Sequence, residues 1–214
     1  MIRIAISVEG PTERDFTNYV LAPFLINYNI TIEPIVITTS RERSGKKNSG
    51  GSVNIDRITN EVKKLLPAFD YVTTLYDFYG FKGIPDINNV DELELKLTNI
   101  FNTNKFIPYI QKYEFETLLF SNPTYYKDIF NDIRLSNEIE QVVIQFNNIE
   151  DINNSRETAP SKRLISIFKQ YGEQYDKVFY GSSIAQDFGI DMIRTKAVRF
   201  NNWIEKLISL KGNN

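Results

Sequence analysis

The beginning of the chain alternates between a strand-like pattern and a helix-like pattern. Residues 2–8 (IRIAISV) are mostly apolar and rich in β-branched side chains, which predicts a buried strand that ends at residues 9–11 (EGP). From Thr12 onward the apolar positions recur at helical spacing, and Thr12 with Asp15 forms an approximate capping box. The pattern therefore predicts a strand that leads into a helix through a tight turn.

Three further apolar segments are separated by stretches with helical periodicity. Strands that are joined by helical crossovers of this length favour a mainly parallel sheet. We therefore predict the α/β fold class, with a mainly parallel central sheet of about four strands and flanking helices. The sequence predicts the further strands at residues 32–38, 71–76 and 106–111, and the intervening helices at about 55–66 and 90–101.

The pattern changes to short helical segments beyond residue 120, and the clearest of these lie at residues 161–171 and 197–209. A chain of 214 residues is long enough for one sizeable core and short for two independent ones. We therefore expect an α/β core over residues 1–120 and a mainly helical C-terminal extension over residues 121–214, packed on the core as a single structural unit.

Residues 40–52 (SRERSGKKNSGGS) form a low-complexity segment. Its glycines and serines predict a flexible loop, and its arginines and lysines make a local basic patch. Two interpretations are open: the loop clamps phosphate groups of a ligand, or it is a solvated connector.

The absence of two residue types limits the chemistry. The chain has no cysteine and no histidine, which excludes thiolate nucleophiles, disulfides and imidazole bases. Any catalysis must use carboxylates, lysines, tyrosines, hydroxyls or a cofactor, and oxygen ligands favour hard cations such as Mg²⁺ or Mn²⁺. The sequence also lacks the GxxxxGK[ST] motif, so we do not expect ATP hydrolysis by this chain.

The charge and hydropathy of the chain limit the kinds of partner that we expect it to bind. The formal net charge is -2 at pH 7, so a surface that binds nucleic acid must be local. The sequence has no apolar run of membrane length, and its first residues lead directly into a predicted strand. We therefore expect a cytoplasmic protein that does not bind membranes.

Two carboxylates follow predicted parallel strands: Glu9 follows the first strand and Asp77 the third. Ligands of open parallel sheets bind at the carboxyl ends of the strands. If the two strands are neighbours, the carboxylates lie about 5 Å apart and repel each other unless a cation is bound between them. We therefore predict that Glu9 and Asp77 hold Mg²⁺ or Mn²⁺. The structural alternatives are a simple strand end for Glu9 and an Asx turn for Asp77.

Three further glutamates are candidates for the same site. Glu13 lies four residues after Glu9 at the start of the predicted helix, where it either caps the helix or positions a second ion or the attacking water. Glu114 and Glu116 follow the fourth predicted strand. We expect one of these two to face the cleft as a further metal ligand, and the alternative for each is an exposed helix start.

Basic and aromatic side chains are candidates for contacts with nucleic acid. For the basic pair at residues 162–163, a solvent-facing helix start is an equally good interpretation. The candidates for phosphate binding are Arg41, Arg43, Lys162 and Arg163. The candidates for stacking on bases are Tyr76, Phe78 and Tyr79.

Several separated motifs together resemble a small bacterial Toprim-like family of unknown function, the DUF4276 family: VEGPTER, VTTLYDFYG, YEFETLLFS, ETAPSKRL, YDKV and FNNWIEKL. The strand-end Glu9 and Asp77 also resemble the Toprim arrangement of topoisomerases, primases and OLD-type nucleases. The resemblance implies a Toprim-like fold, Mg²⁺ or Mn²⁺ as cofactor, and cleavage of nucleic acid. Tyr79 stands where Toprim enzymes have the second aspartate of DxD, which weakens the case for two-metal catalysis unless Glu116 or Glu114 substitutes.

The resemblance leaves several functions open. Proteins of the family are similar to those encoded beside ATPases in phage-defence loci, which implies a partner ATPase of the AAA or ABC type. The chain is then a nuclease acting on DNA or RNA, or a catalytically degenerate Toprim module that binds nucleic acid or a trigger and regulates the ATPase. A third hypothesis is a phosphohydrolase acting on a small phosphate ester. The sequence also leaves open whether the protein is a homodimer.

Overall fold

The chain divides into two compact units. One unit comprises Met1–Gln111 with Ile208–Asn214, and the other comprises Lys112–Leu207. The division into residues 1–120 and 121–214 that the sequence suggests stays a prediction. The computed structural model of the protein describes residues 1–41, 47–49, 53–81, 86–153 and 156–213.

The first unit contains a parallel sheet. The described strands of this unit are β1 (Ile2–Val8), β2 (Ile30–Val36), β3 (Thr38–Arg41), β4 (Lys47–Ser49), β5 (Tyr71–Asp77), β6 (Phe106–Ile107) and β7 (Ile110–Gln111). Five of them form one sheet in the order β2-β1-β5-β6, with β7 also paired to β5, and every described pair in it is parallel. The predicted α/β class with a mainly parallel sheet is therefore confirmed.

The fourth predicted strand, residues 106–111, is divided into β6 and β7. Pro108 lies between them and has no N–H to donate to a neighbouring strand. The hydroxyl of Thr74 on β5 bridges this interruption, because it donates to the carbonyl of Tyr109 at 2.8 Å and accepts from the N–H of Tyr109 at 2.9 Å. One threonine side chain thus replaces part of the sheet hydrogen bonding that the proline interrupts.

Part of the low-complexity segment forms regular structure instead of the predicted loop. β3 and β4 pair antiparallel, and Arg41 lies in register with Lys47. Arg43, the other predicted phosphate-binding residue of this segment, lies outside the described residues.

The helices of the first unit pack on the sheet. α1 (Pro11–Phe16) continues through a π-helical turn, Thr17–Leu21, into α2 (Ala22–Leu25), whose second residue is a proline. A proline within a helix removes one backbone hydrogen bond, and a wider π turn is a common way for the helix to adapt. α3 (Ile55–Leu65) and α4 (Val90–Phe101) each begin at an asparagine that accepts a capping hydrogen bond. The core beside α3 and α4 includes Ala5, Val72, Tyr76, Ile58, Val62, Leu93 and Leu97.

The second unit is helical in its described residues. Its core includes a group of aromatic rings around Phe168, with centroid distances of 5.0 to 6.3 Å to the rings of Phe130 and Tyr126. No helix of the described ranges is both long enough and apolar enough to cross a bilayer. Its described helices include a 3₁₀ helix, Phe115–Phe120, and the α-helices α5 (Tyr126–Phe130), α6 (Ile133–Val143), α7 (Pro160–Gln170), α8 (Lys177–Phe188), α9 (Ile190–Lys196) and α10 (Val198–Ser209).

Candidate functional site

Glu9 and Asp77 lie at the same edge of the sheet. β1 and β5 are parallel neighbours, and Val8 is in register with Leu75. Glu9 therefore comes one position beyond this pair, and Asp77 comes two positions beyond it. On its other side Asp77 is in register with Gln111 of β7. The two carboxylates thus lie at the carboxyl ends of adjacent strands, Asp77 as the last residue of β5 and Glu9 directly after β1, where open parallel sheets bind ligands.

The surroundings of the two carboxylates differ. Asp77 is buried, with 8% of its surface exposed, whereas Glu9 is partly buried and one of its carboxylate oxygens is inaccessible. Asp77 precedes a 3₁₀ turn, Phe78–Gly80, but in this described turn its side chain accepts no capping hydrogen bond. This geometry argues against the Asx-turn interpretation of Asp77.

Glu13 caps the helix that follows Glu9. Its Oε2 accepts a hydrogen bond from the N–H of Gly10 at 2.9 Å, and only 4% of the residue is exposed. Gly10 is the N-cap of α1, so the capping interaction joins Gly10 to Glu13 and not, as the sequence suggested, Thr12 to Asp15. The capping interpretation of Glu13 is confirmed, and its action on a second ion or a water stays a prediction.

A pair of buried hydroxyls beside the strand ends was not predicted. The hydroxyls of Ser7 and Tyr76 are 2.5 Å apart, and neither residue is exposed. Burial is the main cause that raises the pKa of Tyr76; the hydrogen bond with Ser7 opposes this shift, and the negative charge of Glu9 is among the groups that add to it. Only the register of β1 and β5 brings these side chains together, so the sequence offered no direct signal.

The three aromatic residues predicted to stack on bases have different environments. Tyr76 is fully buried, so its predicted role as a stacking surface is wrong. Phe78 packs against the core beside α3 and α4. Tyr79 is 39% exposed and stays a candidate for stacking.

The other two predicted metal ligands belong to the second unit. Glu114 accepts a hydrogen bond through Oε2 from the N–H of Ser161, in the first turn of α7, at 2.9 Å. Glu116 is fully buried, and its Oε2 lies 3.2 Å from the ammonium of Lys177, the first residue of α8. The alternative of an exposed helix start is therefore wrong for Glu116.

Burial is the main cause that raises the pKa of Glu116. The nearby ammonium of Lys177 lowers this pKa, and the charge of Glu114 raises it. The buried hydroxyl of Tyr175 is close enough for the charge of Glu116 to raise its pKa further above the value that burial produces. This part of the second unit is therefore a strongly desolvated polar site.

The two predicted phosphate-binding residues on α7, Lys162 and Arg163, have different environments. Lys162 is exposed on the first turn of the helix. Arg163 donates through Nε to the carbonyl of Thr158 at 2.8 Å, and its guanidinium lies 5.5 Å from the centroid of the Phe146 ring. Lys162 is therefore the better placed of the two to reach a phosphate, and Arg163 stabilises the start of α7.

The donor set at the strand ends fits a hard divalent cation with few protein ligands. Across the described ranges, no group of three or more acidic side chains is arranged to hold a metal ion. Mg²⁺ is commonly bound by one or two carboxylates and completed by water and substrate phosphate, which is compatible with Glu9 and Asp77 alone.

The fold and the strand-end carboxylates define an α/β protein with a parallel sheet and an acidic carboxyl edge. The chain belongs to the family described as "Domain of unknown function (DUF4276)", whose model matches residues 8–208. This confirms the family resemblance that the motifs indicated.

Structure comparison gives distant similarities. One solved structure of the C-terminal region of the OLD protein of Xanthomonas campestris pv. campestris is 14% identical, with a TM-score of 0.41, covering 98% of this chain and 97% of that chain. A second structure of the same region is 16% identical, with a TM-score of 0.37 and coverage of 99% and 98%. No curated protein sequence matches the chain.

Proposed function

We propose that the protein is a metal-dependent nuclease that cleaves phosphodiester bonds of nucleic acid, with Mg²⁺ or Mn²⁺ bound by Glu9 and Asp77. The observation that carries this proposal is the register of β1 and β5, which brings the two carboxylates to adjacent strand ends. Two carboxylates that lie close together repel each other, and a divalent cation bound between them removes this repulsion. A role in phage defence beside a partner ATPase is proposed from the motif resemblance alone.

The chain supplies the geometry of this site. Glu9 and Asp77 provide carboxylate oxygens, and the hydrogen bond from Gly10 to Glu13 fixes the turn directly after Glu9. When bound, a divalent cation polarises the scissile phosphate and lowers the pKa of a bound water. Among the predicted phosphate-binding residues, we propose that the exposed Lys162 of the second unit contacts the phosphate backbone of nucleic acid.

The test uses the purified full-length chain with Mn²⁺ and labelled DNA, RNA and nucleotides. We expect cleavage of a polynucleotide, and we expect Glu9→Gln and Asp77→Asn each to abolish it by removing ligand charge. Glu33→Gln is the matched control, because Glu33 lies exposed on β2 and loses the same charge. Unchanged cleavage in both site variants would reject the site, and turnover of nucleotides alone would indicate a phosphohydrolase.

A second function, a catalytically degenerate module that binds nucleic acid or a trigger and regulates an ATPase, is favoured by two observations. Tyr79 stands at the position of the second Toprim aspartate, and the described residues hold no group of three acidic side chains arranged for a metal. Calorimetry separates the two functions. A nuclease binds Mn²⁺ in its native form and loses this binding in Glu9→Gln and in Asp77→Asn. A degenerate module shows no Mn²⁺ binding that these two substitutions remove.

A further inference from the structure

A further polar side chain lies at the carboxyl edge of the sheet beside Asp77. Gln111 is the last residue of β7, and its Cα is in register with that of Asp77 on the neighbouring strand β5. Side chains of in-register residues on parallel strands extend from the same face of the sheet, and neighbouring strands lie about 4.8 Å apart. Gln111 and Asp77 are therefore side-by-side neighbours at the proposed metal site.

Gln111 is completely buried, which is unusual for a side-chain amide. The residue has no exposed surface. Burial of an amide costs free energy unless its oxygen and its N–H groups have hydrogen-bond partners. A leucine would fill a similar volume without this cost, so the packing of the sheet does not by itself explain a glutamine at this position. The role of Gln111 therefore depends on the hydrogen bonds of its amide.

The hydroxyl of Tyr109 fixes the orientation of this amide. It donates to Oε1 of Gln111 at 2.8 Å, and Tyr109 itself is buried. The backbone of Tyr109 is held in turn by its two hydrogen bonds with the hydroxyl of Thr74 on β5. Because the amide oxygen accepts from Tyr109, the amide nitrogen is the group that donates to other neighbours. Gln111 is thus a donor whose direction is set by Tyr109.

We infer that the side-chain amide of Gln111 donates to the carboxylate of Asp77 and orients it toward the metal, with Tyr109 acting through Gln111. An ionised carboxylate only accepts hydrogen bonds, so it matches the donor that its in-register neighbour offers. Carboxylates that bind metal ions are commonly oriented by hydrogen bonds of this kind. Gln111 and Tyr109 are positioning residues for the metal site of the proposed function, on which this inference rests.

Calorimetry of Mn²⁺ binding by the purified full-length chain tests this role. Gln111→Met keeps an unbranched side chain and removes the amide, so we expect Mn²⁺ to bind at least about tenfold more weakly. Tyr109→Phe should also weaken binding, because the amide loses the hydroxyl that orients it. Adding Tyr109→Phe to Gln111→Met should cause no further loss. Unchanged affinity in a folded Gln111→Met protein, or additive losses in the double variant, would overturn the inference.

A matched variant separates positioning from a general loss of stability. Tyr126→Phe removes a buried hydroxyl that donates to the carbonyl of Leu119 at 2.9 Å in the second unit. It should lower the thermal stability, as Tyr109→Phe does, without changing the affinity for Mn²⁺. If Gln111→Met does not fold, NMR of the native chain and of Asp77→Asn replaces that comparison. The side-chain N–H signals of Gln111 should shift in Asp77→Asn, because the charged acceptor is lost, and unchanged signals would overturn the inference.

Failure of this inference and failure of the proposed function are distinguishable. The proposed function fails if Glu9→Gln and Asp77→Asn leave cleavage unchanged. The positioning inference alone fails if the native chain binds Mn²⁺ through Asp77 and the Gln111→Met protein binds it equally well. A native chain that binds no Mn²⁺ overturns the metal site and, with it, this role of Gln111.

Discussion

At the scale of single residues, three buried acidic side chains of this protein have three different environments. Glu13 accepts from the N–H of Gly10, Glu150 accepts from the first turn of α10, and Glu116 has an ion pair with Lys177. Burial alone therefore does not distinguish a structural carboxylate from a functional one. The two kinds of carboxylate are distinguished by the number and type of their hydrogen-bond donors, because donors replace the hydration that burial removes.

The capping role of Glu13 predicts a stability effect. Glu13→Ala leaves the N–H of Gly10 without its acceptor, so we expect the free energy of unfolding to fall by about 1–2 kcal/mol. Glu13→Gln keeps an acceptor oxygen and should stay within about 0.5 kcal/mol of the native value. Urea denaturation measures both. A Glu13→Gln protein of native stability that no longer binds Mn²⁺ would instead support a direct role for Glu13 at the metal.

The burial of Glu116 predicts a pH effect on stability. Because burial raises the pKa of Glu116, the folded protein binds this proton more tightly than the unfolded chain does. The charged form therefore destabilises the fold at neutral pH, and this penalty disappears as the pH falls through the raised pKa toward the ordinary value of 4.5. Thermal unfolding should show Glu116→Gln gaining stability over the native chain at pH 7 and losing this advantage near pH 4.5. A difference that is independent of pH would contradict the prediction.

At the scale of elements, the divided fourth strand shows how side chains complete a sheet. Pro108 cannot donate a hydrogen bond, and the hydroxyl of Thr74 makes two hydrogen bonds to the backbone of Tyr109. Threonine favours strands for its β-branched shape, so the pattern of residues 71–77 indicated a strand without revealing this second role.

Replacing Thr74 tests this bridge between the strands. Thr74→Val keeps the shape but removes both hydrogen bonds and leaves buried backbone groups unsatisfied, so we expect a loss of about 2–3 kcal/mol in the free energy of unfolding. Thr74→Ser retains the hydroxyl and should lose less, about 1 kcal/mol for the missing methyl group. Hydrogen exchange of the amide of Tyr109 provides a local measurement. An amide that is equally protected in Thr74→Val and native protein would show that the bridge is unimportant.

At the scale of the whole molecule, charge limits how the protein can bind nucleic acid. The net charge of -2 provides no general attraction to phosphate, so binding must depend on a few local contacts. Of the predicted contacts, Lys162 is exposed, whereas Arg163 already contacts Thr158 and Phe146. If the protein binds nucleic acid as proposed, these two residues together offer few phosphate contacts.

A small number of phosphate contacts predicts that the affinity for nucleic acid depends only weakly on salt concentration. With three or four phosphate contacts, a plot of log K against log salt concentration for duplex DNA should have a slope between about -2.7 and -3.6. Lys162→Met should make the slope shallower by about 0.9, because one contact is lost. Fluorescence anisotropy with Ca²⁺ in place of Mn²⁺ measures binding without cleavage. A much steeper slope would indicate a larger basic surface than the one proposed here.

The prediction from sequence was most successful for regular elements. The helix at 90–101 and the strand beginning at residue 71 lie where the apolar pattern placed them, because that pattern records which face of an element is buried. The prediction was wrong for Tyr76 as a stacking surface and for an unbroken strand at residues 106–111. Both depend on neighbouring strands that a local pattern does not describe.

The sequence by itself determined the α/β class, the excluded chemistries and the family to which the chain belongs, because these depend on composition, periodicity and motifs. Only the tertiary structure decided that β1 and β5 are neighbours, that Glu13 caps a helix, and that Glu116 is buried beside Lys177. Such facts require contacts between residues far apart in the chain or the position of a single side-chain oxygen. Neither is encoded in the local alternation of apolar and polar residues.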